Sequence, residues 1–350
     1  METVYLGSSI MTPRIGFCCK YMLDTDVKKS KSIAETERKL NTSSTTVAWL
    51  NRQTTAVAEA KLWQVMRHNL SSVQHVLALV ATMDPRQRMM RLSSDLLPMY
   101  TEKTWGYFWQ QPDVKRYCEH EFTAIGEFAR THDIRLSFHP GQFCVLASID
   151  MQIVERSIAE FEYHVDMARM MGYGAAWHDH GFKINVHISG RQGPSGINRA
   201  LNIMTPEARN LITIENDENS WGIESSLELE NNVALVLDIH HHLLNSEGQY
   251  ITPVDDRWKR IVDSWRGVRP VIHYSISRED ILINHDSAVL PQWDIIRLTH
   301  KKAKLRAHSD TAWNAACNDW ALRFWPDADI QCEMKFKNIA STKLFMQAIA

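Results

Sequence analysis

Six short apolar runs in the sequence each end in a residue type that binds metal ions. These six residues are His139, His187, Glu215, Asp238, His273 and Glu333. Imidazole nitrogens and carboxylate oxygens form a mixed ligand set that suits Zn²⁺ or Mn²⁺, and the lack of cysteine at these positions argues against an iron–sulfur or structural zinc site. Three clustered carboxylates would raise one another's pKa unless a divalent cation were present. The pattern therefore predicts a site for more than one metal ion.

One histidine or glutamate after a strand is more often a loop residue or a helix cap than a ligand. Six such residues, each at the end of its strand, favour the metal hypothesis. Two further histidines are candidates: His241, three residues after Asp238, and His308. The neighbouring His240 and His242 are interpreted as structural, as are His178 and His180, which precede a strand and would lie at the opposite end of a barrel.

The elements that must position these ligands alternate along the chain. Short runs of apolar and β-branched residues lie near 13–17, 88–92, 134–138, 183–187, 211–215, 234–238, 271–275 and 329–334. Stretches with helical periodicity include 55–82, 114–131, 151–172, 196–208, 224–232, 255–264 and 311–322. About eight such units predict an α/β fold closed into a TIM barrel, in which the carboxyl ends of the strands converge on one face. A doubly wound sheet is the alternative, but Gly16 to Lys20 is not a glycine-rich phosphate loop.

Composition limits the other possibilities. The 350 residues suit one barrel domain over 1–350, with a polar stretch at 24–47 interpreted as a loop or insertion. Six scattered cysteines indicate a reducing compartment, and the chain shows no signal peptide or long apolar span, so a cytoplasmic monomer without membrane contact is expected. With a net charge of −2, nucleic-acid binding would need a local basic patch. The run around His308 offers one, with Lys302, Lys304 and Arg306, although such runs are often only solvated loops.

Several segments resemble the motifs of the UV damage endonuclease family. They are Arg91 to Pro98, Phe138 to Phe143, Ile214 to Glu218, Asp238 to His242, Arg269 to Ser275 and Asp329 to Lys335. The match extends from about residue 13 to about residue 340. The strings His-Pro-Gly-Gln and Glu-Asn-Asp-Glu are specific, whereas a single His or Asp would not be.

The resemblance implies a TIM barrel similar to the AP endonuclease IV group, holding up to three metal ions, usually Mn²⁺. It implies a hydrolase that incises damaged double-stranded DNA on the 5′ side of UV photoproducts. His139, His187 and Glu215 would hold one ion, and Glu215 would bridge to a second ion held with Asp238, His273 and Glu333. His241 and His308 would hold a third. Gln142 and Phe143 would wedge into the duplex opposite the lesion, and Phe17 would lie near the flipped bases.

Departures from the family pattern concern three positions. The family has a lysine, which can be carboxylated to act as a ligand, where this chain has Val271, so the third site lacks a ligand. Phe143 stands where tyrosine is common, which keeps stacking and removes a hydroxyl contact. Tyr21 replaces an early asparagine, and residues 24–60 align poorly.

The expected chemistry is hydrolysis of a phosphodiester, with Glu215 bridging two ions and Lys335 either steadying a phosphate or lying on the surface as an ordinary lysine. Two alternatives stay open. A sugar isomerase or epimerase of the xylose isomerase type shares the barrel and the His/Glu/Asp rim, with fewer ligands and no basic loop. A non-catalytic relative that only binds damaged DNA is the second.

Overall fold

The computed structural model describes residues 12–23, 28–282 and 285–350. Eight parallel strands close into a barrel in the order in which they occur along the chain. They are β1 (Ile15–Cys18), β2 (Met89–Arg91), β3 (Arg135–Phe138), β4 (Lys183–His187), β5 (Ile212–Glu215), β6 (Ala234–Asp238), β7 (Val271–Tyr274) and β8 (Asp329–Cys332). Each strand is buried on both faces because side chains fill the lumen and helices cover the outside.

Helices connect the strands along the outside of the barrel. They are α1 (Lys31–Leu40), α2 (Val47–Leu50), α3 (Thr55–Thr82), α4 (Pro112–Thr131), α5 (Met151–Met170), α6 (Gly193–Leu201), α7 (Pro206–Leu211), α8 (Ile223–Leu227), α9 (Ile239–Asn245), α10 (Asp256–Ser264), α11 (Trp293–Thr299), α12 (Lys302–Leu305), α13 (Ala315–Leu322) and α14 (Lys337–Ala348). In the described part of the chain, no helix has the length and apolar content needed to cross a membrane.

The strand register brings the ends of neighbouring strands to one level. His187 on β4 pairs with Glu215 on β5, and Asp238 on β6 pairs with His273 on β7. Because side chains alternate between the two faces of a strand, residues two and four positions before a ligand also point into the lumen. The side chains that fill the lumen beneath the rim therefore belong to the same strands as the candidate ligands.

An ionic cluster closes the opposite, amino-terminal end of the barrel. The buried carboxylate of Asp329 accepts hydrogen bonds from Arg135 Nη1 and Arg269 Nε, each at 2.8 Å, and from the backbone N–H of Arg14 at 2.8 Å. The Arg135 guanidinium also lies over the Trp265 ring, 5.5 Å from its centroid. Removing one partner of such a buried cluster leaves an uncompensated charge, so these residues stabilise the barrel and lie away from the rim.

The barrel and its eight strands were predicted from the sequence, and the structure confirms them within two residues at each end. The helical stretches are confirmed with shifted ends, and the stretch predicted at 196–208 is divided into α6 and α7. The interpretation of 24–47 as a loop was wrong in part, because residues 31–40 form helix α1. Ser30 caps this helix, its side chain accepting from the Ile33 N–H, while none of the helical residues is buried. Polar composition indicated exposure correctly, but not the absence of a helix.

Candidate metal centre and nucleic-acid interface

The six candidate ligands that end strands meet at the carboxyl-terminal rim. They form two groups of described residues, each with its ligand atoms within 4.8 Å of one another. The first group is His139, His187 and Glu215, and the second is Glu215, Asp238, His273 and Glu333. Glu215 belongs to both groups. This arrangement can hold two cations side by side with one carboxylate between them.

Glu215 is fully buried and is held in place by a chain of hydrogen bonds. Thr213 Oγ1 donates to Asn185 Oδ1 at 2.7 Å, and Asn185 Nδ2 donates to Glu215 Oε2. On the other carboxylate oxygen, His273 Nδ1 lies 2.9 Å from Oε1. Thr213 and Asn185 stand two residues before Glu215 and His187 on β5 and β4. Strand alternation could have identified them from the sequence as residues that support the ligands.

His139 and His187 approach Glu215 from β3 and β4. His139 Nδ1 lies 2.9 Å from the Pro140 carbonyl oxygen, which can accept its proton. That hydrogen bond leaves Nε2, 3.3 Å from Glu215 Oε2, with the lone pair that a metal ligand needs. Nδ1 of His187 is buried and has no hydrogen-bond partner among the described residues. Both imidazoles are thus placed to act as neutral nitrogen ligands.

Asp238 and His241 are positioned together by the start of helix α9. Asp238 caps this helix, its Oδ1 accepting from the His241 N–H at 2.7 Å. Asp238 Oδ2 is buried and has no hydrogen-bond partner in the described residues, and His241 Nδ1 lies 3.7 Å from it. His241 Nδ1 is also 3.6 Å from Glu215 Oε1, and its Nε2 is 3.7 Å from Glu218 Oε2. His241 therefore lies at the edge of the cluster, as expected for a ligand of a further ion.

Glu333 completes the second group and contacts a cation that the sequence did not single out. Arg91 Nη1, at the end of β2, donates to Glu333 Oε1, and His273 Nδ1 lies 3.3 Å from the same oxygen. Burial raises the pKa of Glu333, but Arg91 and His273 outweigh this and hold it well below its usual range. Arg91 keeps this carboxylate ionised and available as a ligand. Its place at the end of a strand is the signal that could have identified it.

Lys183, at the start of β4, reaches across the lumen to the second group of ligands. Its Nζ lies 3.2 Å from Nε2 of His273, on the opposite side of the ring from the carboxylates. Lys183 is fully buried, and burial lowers its pKa to about 7. Val271, where the family pattern has lysine, is buried in the lumen beside Val236 and Trp265. The lumen thus holds a lysine from β4 in place of one from β7.

The electrostatics of the rim fit a divalent metal centre. Burial raises the pKa of Glu215, yet the adjacent His273 and His187 hold it well below its usual range. Burial raises the pKa of Asp238 well above its usual range, and the neighbouring Glu215 and Glu333 carboxylates raise it further. Arg91 and the nearby imidazoles offset the charge of Glu215 and Glu333, whereas Asp238 has no such compensation that outweighs its burial. A bound divalent cation would supply that compensation and would use the unpartnered Asp238 oxygen.

A cavity of about 520 Å³ opens directly above His187 and His241. Three segments line it: Pro140 to Gln142, Asp217 to Asn219, and the end of α12 with the residues that follow it to His308. Arg306 Nε lies 3.3 Å from Glu218 Oε1 in this wall. The next residue on the first segment, Phe143, is 85% exposed. An exposed aromatic beside a cavity that contains the metal ligands is suited to stacking on a nucleic-acid base.

The remaining candidates lie at various distances from this centre. His308 lines the cavity with a buried, unpartnered Nδ1, but neither group of ligands includes it or His241. Lys302 and Lys304 are exposed on α12, and Lys335 is exposed with its Nζ 3.6 Å from Asp310 Oδ1. The expectation for Phe17 was wrong, because its ring points away from the lumen and is fully buried against Tyr21, with ring centroids 5.9 Å apart. A buried ring cannot contact flipped bases.

Comparison with known proteins identifies a family. The model of the family described as UV-endonuclease UvdE matches residues 13–346. A UV DNA damage endonuclease of Bacillus velezensis is 27% identical over 55% of this chain and 59% of its own length. One from Halalkalibacterium halodurans is 30% identical over 56% and 61%. The UV-damage endonuclease of Schizosaccharomyces pombe is 25% identical over 81% of this chain and 46% of the relative. The chain thus aligns with less than two thirds of the length of each of these three.

The solved structure of SacUVDE superposes with a TM-score of 0.69 at 20% identity, covering 95% of this chain and 97% of that one. At this identity the superposition establishes the fold.

Proposed function

The chain belongs to the UV-endonuclease UvdE family, and from this premise we propose that it is a metal-dependent DNA-repair endonuclease. Its substrate would be double-stranded DNA with UV photoproducts, cut on the 5′ side of the lesion to leave a 3′-hydroxyl and a 5′-phosphate. The observation that carries the proposal is the position of Glu215, a buried carboxylate common to both ligand groups at the rim. The relatives' names supply the damage specificity, and the site supplies the means of hydrolysis.

The residues present fit two divalent ions, which we propose to be Mn²⁺, with Zn²⁺ as the alternative. His139, His187 and Glu215 would hold one ion, and Glu215, Asp238, His273 and Glu333 the other. His241 and His308 would hold a third where it binds. When bound, such ions neutralise phosphoryl oxygens, activate a water molecule and stabilise the leaving oxygen.

The protein's own groups orient the reacting centre. Asn185 and Thr213 fix the Glu215 carboxylate, and Arg91 fixes Glu333, so the ligand oxygens are held before substrate arrives. Arg306, Lys302 and Lys304 would bind the phosphate backbone on the wall of the cavity, and Lys335 would steady a phosphate at the rim. Preorganised oxygens and cations of this kind reduce the reorganisation that hydrolysis requires.

Recognition of damage would be indirect. A crosslinked pyrimidine pair is poorly stacked and its duplex bends easily, so its extrusion costs less than that of normal bases. Gln142 and the exposed Phe143 lie on a loop of the cavity wall and would fill the space that the extruded bases leave. The loop thus couples the lesion to the metal centre.

The test uses a labelled duplex with one cyclobutane pyrimidine dimer, incubated with the protein plus Mn²⁺ or plus EDTA. One Mn²⁺-dependent nick immediately 5′ of the dimer, absent from intact duplex, is expected. Cutting only at an abasic site would place the substrate among apurinic lesions instead. Absence of cutting in both conditions, with metal-dependent activity on a ketose, would refute the proposal in favour of a sugar isomerase.

A further inference from the structure

Helix α11 exposes two large apolar side chains, which stand beside the exposed polar residues Asp294 and Thr299. Leu298 is 81% exposed and Ile295 is 54% exposed. At about 100° per residue, these side chains lie within about 60° of each other on the helix. A surface helix ordinarily directs polar residues to water, so this pair has the opposite orientation from that expected of an amphipathic helix.

The opposite face of α11 anchors the helix to the barrel. Trp293 is buried, its Nε1 donates to Tyr250 Oη at 3.1 Å, and its ring centroid lies 6.3 Å from that of His240. Tyr250 Oη in turn donates to the Pro291 carbonyl at 2.8 Å, and Ile296 packs against the core. Because the buried face of α11 already packs against the barrel, the exposed side chains of Ile295 and Leu298 are free to contact a partner.

Unpaired positive charge follows the apolar pair directly. Lys301, Lys302 and Lys304 are exposed and form no ion pair with the residues that the structure describes. By contrast, Arg297 pairs with Glu247. The same segment continues to Ala303 and Arg306, which line the cavity above the candidate ligands, as Gln142 does. An apolar pair next to free lysines is complementary to a polyanion with an apolar interior, which is the chemistry of a DNA groove between two phosphate backbones.

We propose that Ile295 and Leu298 form a second apolar contact with duplex DNA, entering a groove while Lys301, Lys302 and Lys304 bind the flanking phosphates. The inference rests on the proposed function, because it takes damaged duplex as the partner. It deepens that function by adding an apolar contact on the segment that leads into the cavity above the candidate ligands, apart from the one proposed for Phe143. Apolar side chains inserted at two points favour a kinked duplex, the deformation that extrusion of a lesion needs.

The experiment measures binding of a fluorescent duplex with one cyclobutane pyrimidine dimer by anisotropy, in EDTA, from about 50 to 200 mM salt, the range over which phosphate binding dominates. The double variant Ile295→Ser/Leu298→Ser should bind at least about 10-fold more weakly, with an unchanged slope of log affinity against log salt. The variant Lys301→Gln/Lys302→Gln/Lys304→Gln should instead lower that slope by about 3 units, roughly 1 for each phosphate that a lysine no longer neutralises.

A matched control is available at the other end of the barrel. Ile203 is 56% exposed and lies between α6 and α7, just before the amino-terminal end of β5. Ile203→Ser removes a similar exposed apolar side chain and should leave DNA affinity unchanged. Melting temperatures of all variants verify that the substitutions, which are on the surface, leave the fold intact.

The outcomes separate this inference from the proposed function. Wild-type affinity in the Ile295→Ser/Leu298→Ser variant would overturn the inference, whether or not the wild type incises DNA. Another outcome of light scattering would be a wild-type dimer and a monomeric variant whose DNA affinity is unchanged. That result would also overturn the inference and would assign Ile295 and Leu298 to contact with a second copy of the chain. Tight binding by the wild type without Mn²⁺-dependent incision would refute the proposed function alone, since the groove contact is measured in EDTA.

Discussion

Replacing Glu215 by glutamine tests the shared metal centre most directly. The substitution keeps the shape of the side chain and a hydrogen-bond acceptor but removes the charge. Because Glu215 belongs to both ligand groups, one substitution should weaken both sites. Loss of a residue that merely supports a metal ligand lowers affinity about 10–100-fold, so loss of a bridging ligand should reach at least the upper end of that range.

The expected size follows from linkage between metal binding and folding. At an Mn²⁺ concentration of about 100 times the dissociation constant, each occupied site stabilises the fold by about 2.7 kcal/mol. Two sites give about 5 kcal/mol, which for a chain of this size corresponds to a rise in melting temperature of roughly 7 °C. A 100-fold loss at both sites leaves about 0.4 kcal/mol each, or a rise of roughly 1 °C in total.

The assay is thermal unfolding of wild type and Glu215→Gln in EDTA and in Mn²⁺. In EDTA the two should melt within a few degrees, since the substitution relieves crowding of three buried carboxylates while disturbing hydrogen bonds. In Mn²⁺ only the wild type should gain stability, and only the wild type should incise DNA. Glu228→Gln, at the exposed end of α8, is the control and should retain both properties. An Mn²⁺-dependent rise of equal size in Glu215→Gln would refute the shared site, and retained incision in Glu215→Ala would refute the catalytic assignment.

Three further predictions concern other parts of the molecule. Phe143→Ala should lower the ratio of affinities for damaged and intact duplex by about 10-fold, because it removes one stacking surface, and should slow saturated incision less; an unchanged ratio would contradict the wedge role. Lys183→Met should weaken Mn²⁺ binding about 10–100-fold in calorimetric titration, because His273 loses its Nε2 partner. The free energy of unfolding in EDTA should stay equal or rise, because a buried amine is removed. Mn²⁺ affinity equal to that of the wild type would show that Lys183 only fills space. Burial lowers the pKa of His164 to about 4, whereas about 6.5 is expected when unfolded, so its contribution to stability is complete above pH 6.5 and is lost as the pH falls toward 4, at roughly 1 kcal/mol per pH unit. Urea unfolding in EDTA at several pH values should therefore show that His164→Phe loses less unfolding free energy on acidification than the wild type does. An equal loss of unfolding free energy would contradict this account.

The convergence of the candidate ligands could be predicted because each stands at the end of an apolar run, and the fold brings the ends of parallel strands together. The residues that orient them were missed for a specific reason. Asn185 and Lys183 lie within a strand. From the sequence alone, a polar residue at such a position can mean either that its side chain points into the lumen or that the strand was assigned wrongly. Only the closed barrel shows that Lys183 on β4 reaches across the lumen to His273 on β7.

Phe17 shows a different limit of prediction from the sequence, because a residue was singled out by a motif although its side chain is buried. Matching a motif gives residue type and position along the chain, but alternation decides which face a strand residue occupies. Gly16 and Cys18 take the luminal positions of β1, so Phe17 is directed into the core between strand and helices. Helix α1 was missed because only Ile33, Ala34 and Leu40 are apolar among its ten residues, so its short apolar side did not stand out within a polar stretch.

The distribution of charge is compatible with the proposed DNA substrate, although the net charge of the chain is −2. Arg135 and Arg269 both pair with the buried Asp329 at the far end of the barrel, so these two cations are placed away from the rim. Lys302 and Lys304, in contrast, have no acidic partner among the described residues and stand beside the cavity that contains the metal ligands. Fields of exposed charges are screened beyond about 8–10 Å at physiological salt. A phosphate near the rim would therefore respond to these few lysines and to the cations that we propose bind there, and the total charge of the protein would have little influence on it.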